Sequence, residues 1–361
     1  MDNNNLCNLD PSDFQKKING KTTNLYILKN KSGAEVAITN YGGSLVGIMV
    51  PDKKGNFANV IQGHDNIDDC INSPEPFLST LVGRYGNRIC HGKFTLDDKE
   101  YTLAINNGPN HLHGGPTGFH ARVWDVLYAD DEKLSLQYIS KDGEEGFPGN
   151  LVMKVTYTWT DNNELYIDYE GTTDKKTVVN MTSHGFFSLS GIGNPTPSAM
   201  NVVCQINADH YIPIDDTSIP TGEVRSVKNT PFDFTTPHVI GERIDDPDDE
   251  QIRNGAGYDH CFVLNKRYPK EFSLAAKVSE PVTGRTMEVY TTEPGIQFYS
   301  DNWADGYKGQ NGATFPRRSA ICFEAQHFPD SPNHAYFPSA VLTPGEVYTQ
   351  RTMYRFGTEN N

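Results

Sequence analysis

Along the chain, apolar and polar residues alternate with a period of two far more often than apolar residues recur every third or fourth position. Leu151, Met153, Val155, Tyr157 and Trp159 alternate with Lys154, Thr156, Thr158 and Thr160, the pattern of a strand with one buried face. The turn residues Asp161, Asn162 and Asn163 follow, and alternation resumes at Leu165, Ile167 and Tyr169, so the two runs predict a hairpin. A second hairpin is predicted by Phe272, Leu274, Ala276 and Val278 before a turn at Thr283-Gly284, with Met287, Val289 and Thr291 after it. The 32 glycines and 22 prolines cut the chain into short runs. Helical periodicity nowhere persists over about ten residues, and one short helix is expected near Asp65–Ile71. Many short strands without helical stretches predict an all-β protein, a large antiparallel sandwich. No repeat of propeller or solenoid length is present.

Composition narrows the function. With 361 residues, 36% of them hydrophobic and 11% aromatic, the chain has ample surface to bury. Its formal charge of −15 repels phosphate backbones, which excludes a nucleic-acid partner. No apolar run is long enough to span a membrane as a helix. The polar stretch Met1 to Asn30 lacks the apolar core of a signal peptide. A cytoplasmic protein is therefore expected, with a periplasmic or extracellular location the alternative should a leader have been removed. The six cysteines are widely spaced, without a C-x-x-C pair, and are read as mostly buried free thiols. The acidic stretch Asp245 to Glu250 is read as a solvated loop; it is the place where a structural calcium ion is conceivable, although it lacks the ordered spacing of a calcium loop.

Phosphate-loop, dinucleotide-binding, zinc-protease and serine-hydrolase motifs are all absent. What stands out instead is a set of polar residues inside apolar or glycine-rich segments. In SAICFEAQHF, alternation puts Ile321, Phe323 and Ala325 on one face and Cys322, Glu324 and Gln326 on the other. A mid-strand carboxylate is costly to bury, and burial raises its pKa toward the range of a general base. The competing reading is a glutamate on a solvated sheet face. In VVNMTSHGFFSLSG, Asn180, Thr182 and His184 share a face, and a histidine can shuttle protons near neutral pH or simply sit hydrogen-bonded in a core. His111 and His113 form an H-x-H that would place both rings on one face of a strand, a spacing suited to a metal. Asn87 and Arg88 follow Gly83 and Gly86, where glycine permits close approach of a ligand and arginine offers a fork of donors. Asp259, in GYDHCFVLN, and Gln297, in EPGIQFYSDNW, add the acceptor and mixed donor–acceptor groups that grip polar ligands such as sugars.

Taken together, eight segments in order resemble the aldose 1-epimerase (galactose mutarotase) family. They are NYGGSLVGIMVPD, GRYGNRICHGKF, NHLHGG, EEGFPGNL, NMTSHGFFSLSG, GYDHCF, EPGIQFYSDNW and CFEAQHFPDSPN, and the agreement runs from about Asp13 to Phe356. The resemblance implies a single β-supersandwich domain over residues 13–357, with short tails at 1–12 and 358–361. It also implies interconversion of the α and β anomers of free aldohexoses such as galactose and glucose. Matched position by position, Glu324 takes the place of the general base and His184 that of the general acid. His113, Asn87, Arg88, Asp259 and Gln297 match sugar-binding positions, and His111 matches no role. Proton transfer by two side chains demands no cofactor and no metal. The expected partner is a small free aldose, and the expected assembly a monomer or weak dimer. Around the acid, Ser183, Phe186 and Ser188 replace the Asn, Tyr and Asn of the commoner T-N-H-x-Y-F-N-L pattern, changes that bear on sugar preference. Three other readings stay open at this level. A hexose-6-phosphate epimerase would need a basic pocket, for which Arg317-Arg318 is the compact pair. A non-catalytic carbohydrate-binding sandwich would not need Glu324 and His184 together. A metal enzyme would use the H-x-H.

Overall fold

The computed structural model describes residues 5–194 and 198–359, so the extreme ends of the two expected tails lie outside it. Its largest sheet has nine antiparallel strands. At its centre the predicted hairpin forms as Leu151–Trp159 and Glu164–Thr173, paired from Leu151↔Thr173 to Trp159↔Leu165. Leu151, Met153, Val155, Tyr157, Trp159, Leu165, Ile167 and Tyr169 are all buried, as the alternation requires. The second hairpin forms as Ser273–Ser279 and Arg285–Thr291, with Met287, Val289 and Thr291 inside. One expectation for it fails. A bulge between Leu274 and Ala276 shifts the register, so Phe272 is exposed and Leu274 only half-buried, while Ala275 joins Ala276 and Val278 in the core.

A five-stranded sheet carries the strands Asp259–Val263, Gly295–Tyr299 and Cys322–Gln326 side by side. A four-stranded sheet, Leu25–Lys29 to Phe57–Asn59, packs against the nine-stranded sheet. The main core joins all three sheets. Tyr354 of the large sheet donates to the Phe323 carbonyl (3.0 Å), Tyr157 donates to the Gly43 carbonyl (2.6 Å), and Trp159 Nε1 donates to the Ala34 carbonyl (3.0 Å). These buried aromatic side chains satisfy their polar ends across the layers while their rings fill the space between. Cys7 and Leu9 are buried with Phe14 against the four-stranded sheet. All six cysteines are unpaired.

Helix is confined to short pieces. Ile67–Ile71 forms where expected, capped by the Asn66 side chain. The stretch Asp245 to Glu250 is not simply a solvated loop: Asp249 caps a second short helix, Glu250–Gly255, and Asp245 is clamped by the Arg318 guanidinium with two contacts of 2.7 Å. Among the described residues its carboxylates do not converge as a metal-binding group.

Candidate active site

Register in the five-stranded sheet explains the unusual burial of Glu324. Gln297 pairs with Glu324, and Tyr299 pairs with both Asp259 and Cys322. Residues directly opposite in an antiparallel sheet share a face, so Asp259, Gln297, Tyr299 and Glu324 lie together. Phe262, Ile296, Phe298 and Phe323 occupy the other face and belong to the core. Both faces of Cys322–Gln326 are covered, which rules out the solvated-face reading.

His184 reaches the same place from a different segment. Its backbone N–H donates to the Thr80 carbonyl (2.9 Å), and Phe187 and Ile321 exchange a reciprocal pair of backbone bonds, each 2.9 Å. Those bonds lock the segment after Thr182–Ser183 alongside the strand bearing Glu324. His184 Nε2 consequently lies 3.5 Å from Glu324 Oε1, with the two side chains 8% and 2% exposed. Phe186, one of the departures from the commoner family pattern, stacks on the His184 ring at 4.9 Å and 16°.

The loops close the arrangement. Asn87 and His113 both adopt left-handed backbone (φ 64° and 53°), tolerable for these residue types. They are bonded reciprocally: the Asn87 N–H donates to His113 Nδ1 (3.0 Å), and the His113 N–H donates to the Asn87 carbonyl (3.0 Å). This geometry corrects the H-x-H expectation. The strand His111–Leu112 ends before His113, whose left-handed backbone turns its ring away from that of His111. His111 Nδ1 instead meets the Ala104 carbonyl (2.7 Å), and its ring packs on Phe147. The group with metal-ligand proximity is His113, His184 and Glu324, whose ligand atoms lie within 4.8 Å of one another.

Glu324, His184, His113, Asn87, Arg88 and Asp259 all line one open cleft of about 340 Å³. Arg88 Nη1 lies 3.7 Å from Asp259 Oδ2, and its Nε donates to Asn107 Oδ1 (2.9 Å). Gln297 is not on the cleft wall. It lies beneath, where its Nε2 donates to Asp259 Oδ1 (2.8 Å). Sequence reasoning passed over Glu75, Phe77, Asn107, Tyr299 and Trp303, which also line the cleft. Trp303 and Tyr299 lay inside a segment already singled out, and Glu75 between two prolines was the remaining readable signal. The basic pair fits no phosphate site: Arg318 is neutralised by Asp245, Arg317 Nε donates to the Asn302 carbonyl (3.0 Å), and neither lines the cleft.

Burial sets the electrostatics. It pushes the Glu324 carboxyl well above the usual carboxylate range, aided by the charge of Asp259 and opposed by Arg88. The same desolvation pushes His184 down to about 4 and holds His113 well below the ordinary histidine value. Both shifts favour the neutral forms, so a proton bound by this buried pair rests on Glu324 in the free site, and the reactive state requires it on His184. Glu324 Oε2 and His184 Nδ1 are buried without a hydrogen-bond partner from another residue.

The family pattern described as Aldose 1-epimerase matches residues 24–355. The chain is 40% identical over 322 residues to a galactose mutarotase of Bos taurus, a match covering 89% of this chain and 90% of the relative. It is 35% identical over 342 residues to an aldose 1-epimerase of Escherichia coli K12, covering 94% and 97% respectively. The fold is similar to the crystal structure of a GalM/aldose epimerase homologue from C. elegans, with TM-score 0.86, 29% identity and coverage of 94% of this chain and all of the other (100%).

Proposed function

The chain belongs to the aldose 1-epimerase family, and from that premise we propose that it interconverts the α and β anomers of free aldohexoses such as galactose and glucose. The observation that carries the reading is the buried pair of His184 Nε2 and Glu324 Oε1, 3.5 Å apart at the wall of a sugar-sized cleft. Anomerisation needs one proton taken from the anomeric hydroxyl and one given to the ring oxygen. Glu324, as carboxylate, takes the first, and His184, as imidazolium, gives the second. The bond between the anomeric carbon and the ring oxygen breaks, leaving the free aldehyde. Rotation about the adjacent carbon–carbon bond presents the other face of the aldehyde, and closure returns both protons. Placing the pair's single proton on His184 creates the reactive state without net uptake from solvent.

The tautomer of His113 supports the choice of His184 as acid. His113 Nδ1 accepts the Asn87 N–H, so the ring's one proton sits on Nε2. Losing it would leave an imidazolate. His113 therefore donates a hydrogen bond to the sugar and does not transfer a proton. The same argument weighs against a catalytic metal, because His113 has no free lone pair and only His184 and Glu324 remain as donors. Arg88, Asp259 and Asn87 hold hydroxyls, and Gln297 orients Asp259 from below. We also propose that the protein works without a cofactor, as a monomer or weak dimer in the cytoplasm, a compartment that suits six unpaired cysteines.

Proton NMR magnetisation exchange between the two anomers tests the reaction. The protein should accelerate exchange in ²H₂O without incorporating deuterium at the carbon next to the anomeric centre, since only O–H protons move. Deuterium incorporation would indicate enolisation and a different isomerase; absence of faster exchange with any aldose would leave a binding module.

A further inference from the structure

Two groups on the cleft wall play no part in the proton transfers. Glu75, held in the segment between Pro74 and Pro76, lines the cleft together with Glu324 and Asp259. Its Oε1 accepts the Phe77 backbone N–H (3.1 Å), and it meets no cation among the described residues. Of the described residues on the wall, Arg88 alone carries a permanent positive charge, and it is already paired with Asp259. Behind the wall, Asp301 is 2% exposed, accepts only hydrogen bonds such as that from Ser319 Oγ (3.3 Å), and feels the charge of Glu75. Burial holds the Glu75 carboxyl up to about 7 and, with the Glu75 charge added, Asp301 up to about 7. The second group is Trp303, whose side chain stands on the same cleft with 70% of the residue exposed.

We propose that the cleft is built for aldoses carrying an ammonium group, hexosamines, with Glu75 as the residue that selects them; this rests on the anomer-interconverting reading above. Neutral hydroxyls can donate to Glu75 but leave its charge uncompensated beside Asp301. An ammonium group satisfies the same acceptor and cancels the charge, and a charge-assisted bond of this kind is about twice as strong as a neutral one. The exposed indole face of Trp303 attracts a cation through its ring quadrupole. At longer range the formal charge of −15 draws cationic sugars toward the protein.

The test compares mutarotation kinetics at pH 7 for galactose, galactosamine and N-acetylgalactosamine, and for the corresponding glucose series. The N-acetyl sugar keeps a substituent at the same carbon while removing its charge. The wild-type protein should show a higher kcat/KM for the hexosamine than for the hexose, and no such gain for the N-acetyl sugar. Glu75→Gln should lower the hexosamine-to-hexose ratio by about 10-fold, the difference between a charged and a neutral hydrogen bond. Glu75→Asp keeps the charge and should retain more of that ratio than Glu75→Gln. Hexoses accelerated without a hexosamine preference, or a preference indifferent to Glu75→Gln, overturns the selection proposal alone. Acceleration of none of these sugars overturns the underlying reading as well.

Discussion

Replacing Glu324 with glutamine should make the folded state progressively more stable than wild type as pH rises, while disabling the reaction. Glu324 is 2% exposed, its Oε2 has no partner, and burial drives its carboxyl well above the usual range. A group whose folded value lies above its unfolded one keeps a proton that the unfolded chain releases. The stability it contributes is complete below the unfolded value of ~4.3 and is lost as pH climbs toward the folded value. For a carboxyl still protonated at pH 7, about 2.7 pH units at ~1.36 kcal/mol each give an upper bound of about 3.7 kcal/mol. Glutamine has no proton to retain and escapes that loss. Its buried amide adds a separate cost of about 1–3 kcal/mol that does not vary with pH, so the slope is diagnostic and the offset is not. Sharing the proton with His184 leaves the slope intact, because linkage counts protons bound and not the atom that holds them. Urea unfolding of both proteins at pH 5 and pH 7 should show the stability difference moving toward the variant by up to about 2.7 kcal/mol. The kcat of the variant should fall by roughly 10²–10⁴-fold. A stability difference that is the same at both pH values would refute the reasoning, since it would mean that the carboxyl titrates as it does in the unfolded chain.

Because the Glu324–His184 pair holds one proton, kcat/KM should stay level through the neutral range, falling on the acid side near 4 as His184 takes a second proton and on the alkaline side as the shared proton leaves. A limb centred near the ordinary histidine value would show that His184 titrates independently. His184→Asn should lower kcat by ~10²-fold or more, whereas His113→Asn should act mainly on KM, because His113 only donates a hydrogen bond; the opposite ranking in steady-state kinetics would overturn the assignment of the acid. Burial pushes His111 down to about 4 and His260 to about 3. Both are therefore neutral when folded and charge only on unfolding as pH drops below ~6.5, so each contributes a loss of stability on acidification of up to ~1.4 kcal/mol per pH unit. Raised carboxyls such as Glu324 act in the opposite direction over the same range, so the check is comparative: His111→Gln should shed part of the acid-side loss in urea unfolding between pH 7 and pH 5, and the same pH dependence in variant and wild type would contradict that burial.

Much of the sheet structure was legible because alternation is a local signal. Leu151 through Tyr169 reads as a hairpin in sequence and folds as one, since every second side chain must face the core. The bulge at Leu274–Ala276 was not legible: nothing in the run Phe272–Val278 marks the extra residue that the neighbouring strand imposes. The site shows the same division. Glu324 and His184 stood out because each interrupts an apolar segment, and sheet register then brings together residues separated by 140 positions or so in the chain. His111 and His113 misled because two-residue spacing implies a shared face only while the backbone stays extended, and His113 lies in left-handed backbone. Glu75 stands between two prolines, yet that local signal does not reveal its significance, which lies in lacking a cation, a property of the whole cleft wall.

Opening and reclosure of the sugar ring by paired proton transfer in this cleft is read out by polarimetry of freshly dissolved α-D-galactose, α-D-glucose and α-D-galactosamine. Optical rotation should relax to the same equilibrium value as in buffer alone, but faster in proportion to protein concentration. That acceleration should fall by ~10²-fold or more in both Glu324→Gln and His184→Asn. Relaxation at the buffer rate for all three sugars, or acceleration that survives the loss of either side chain, would contradict the account.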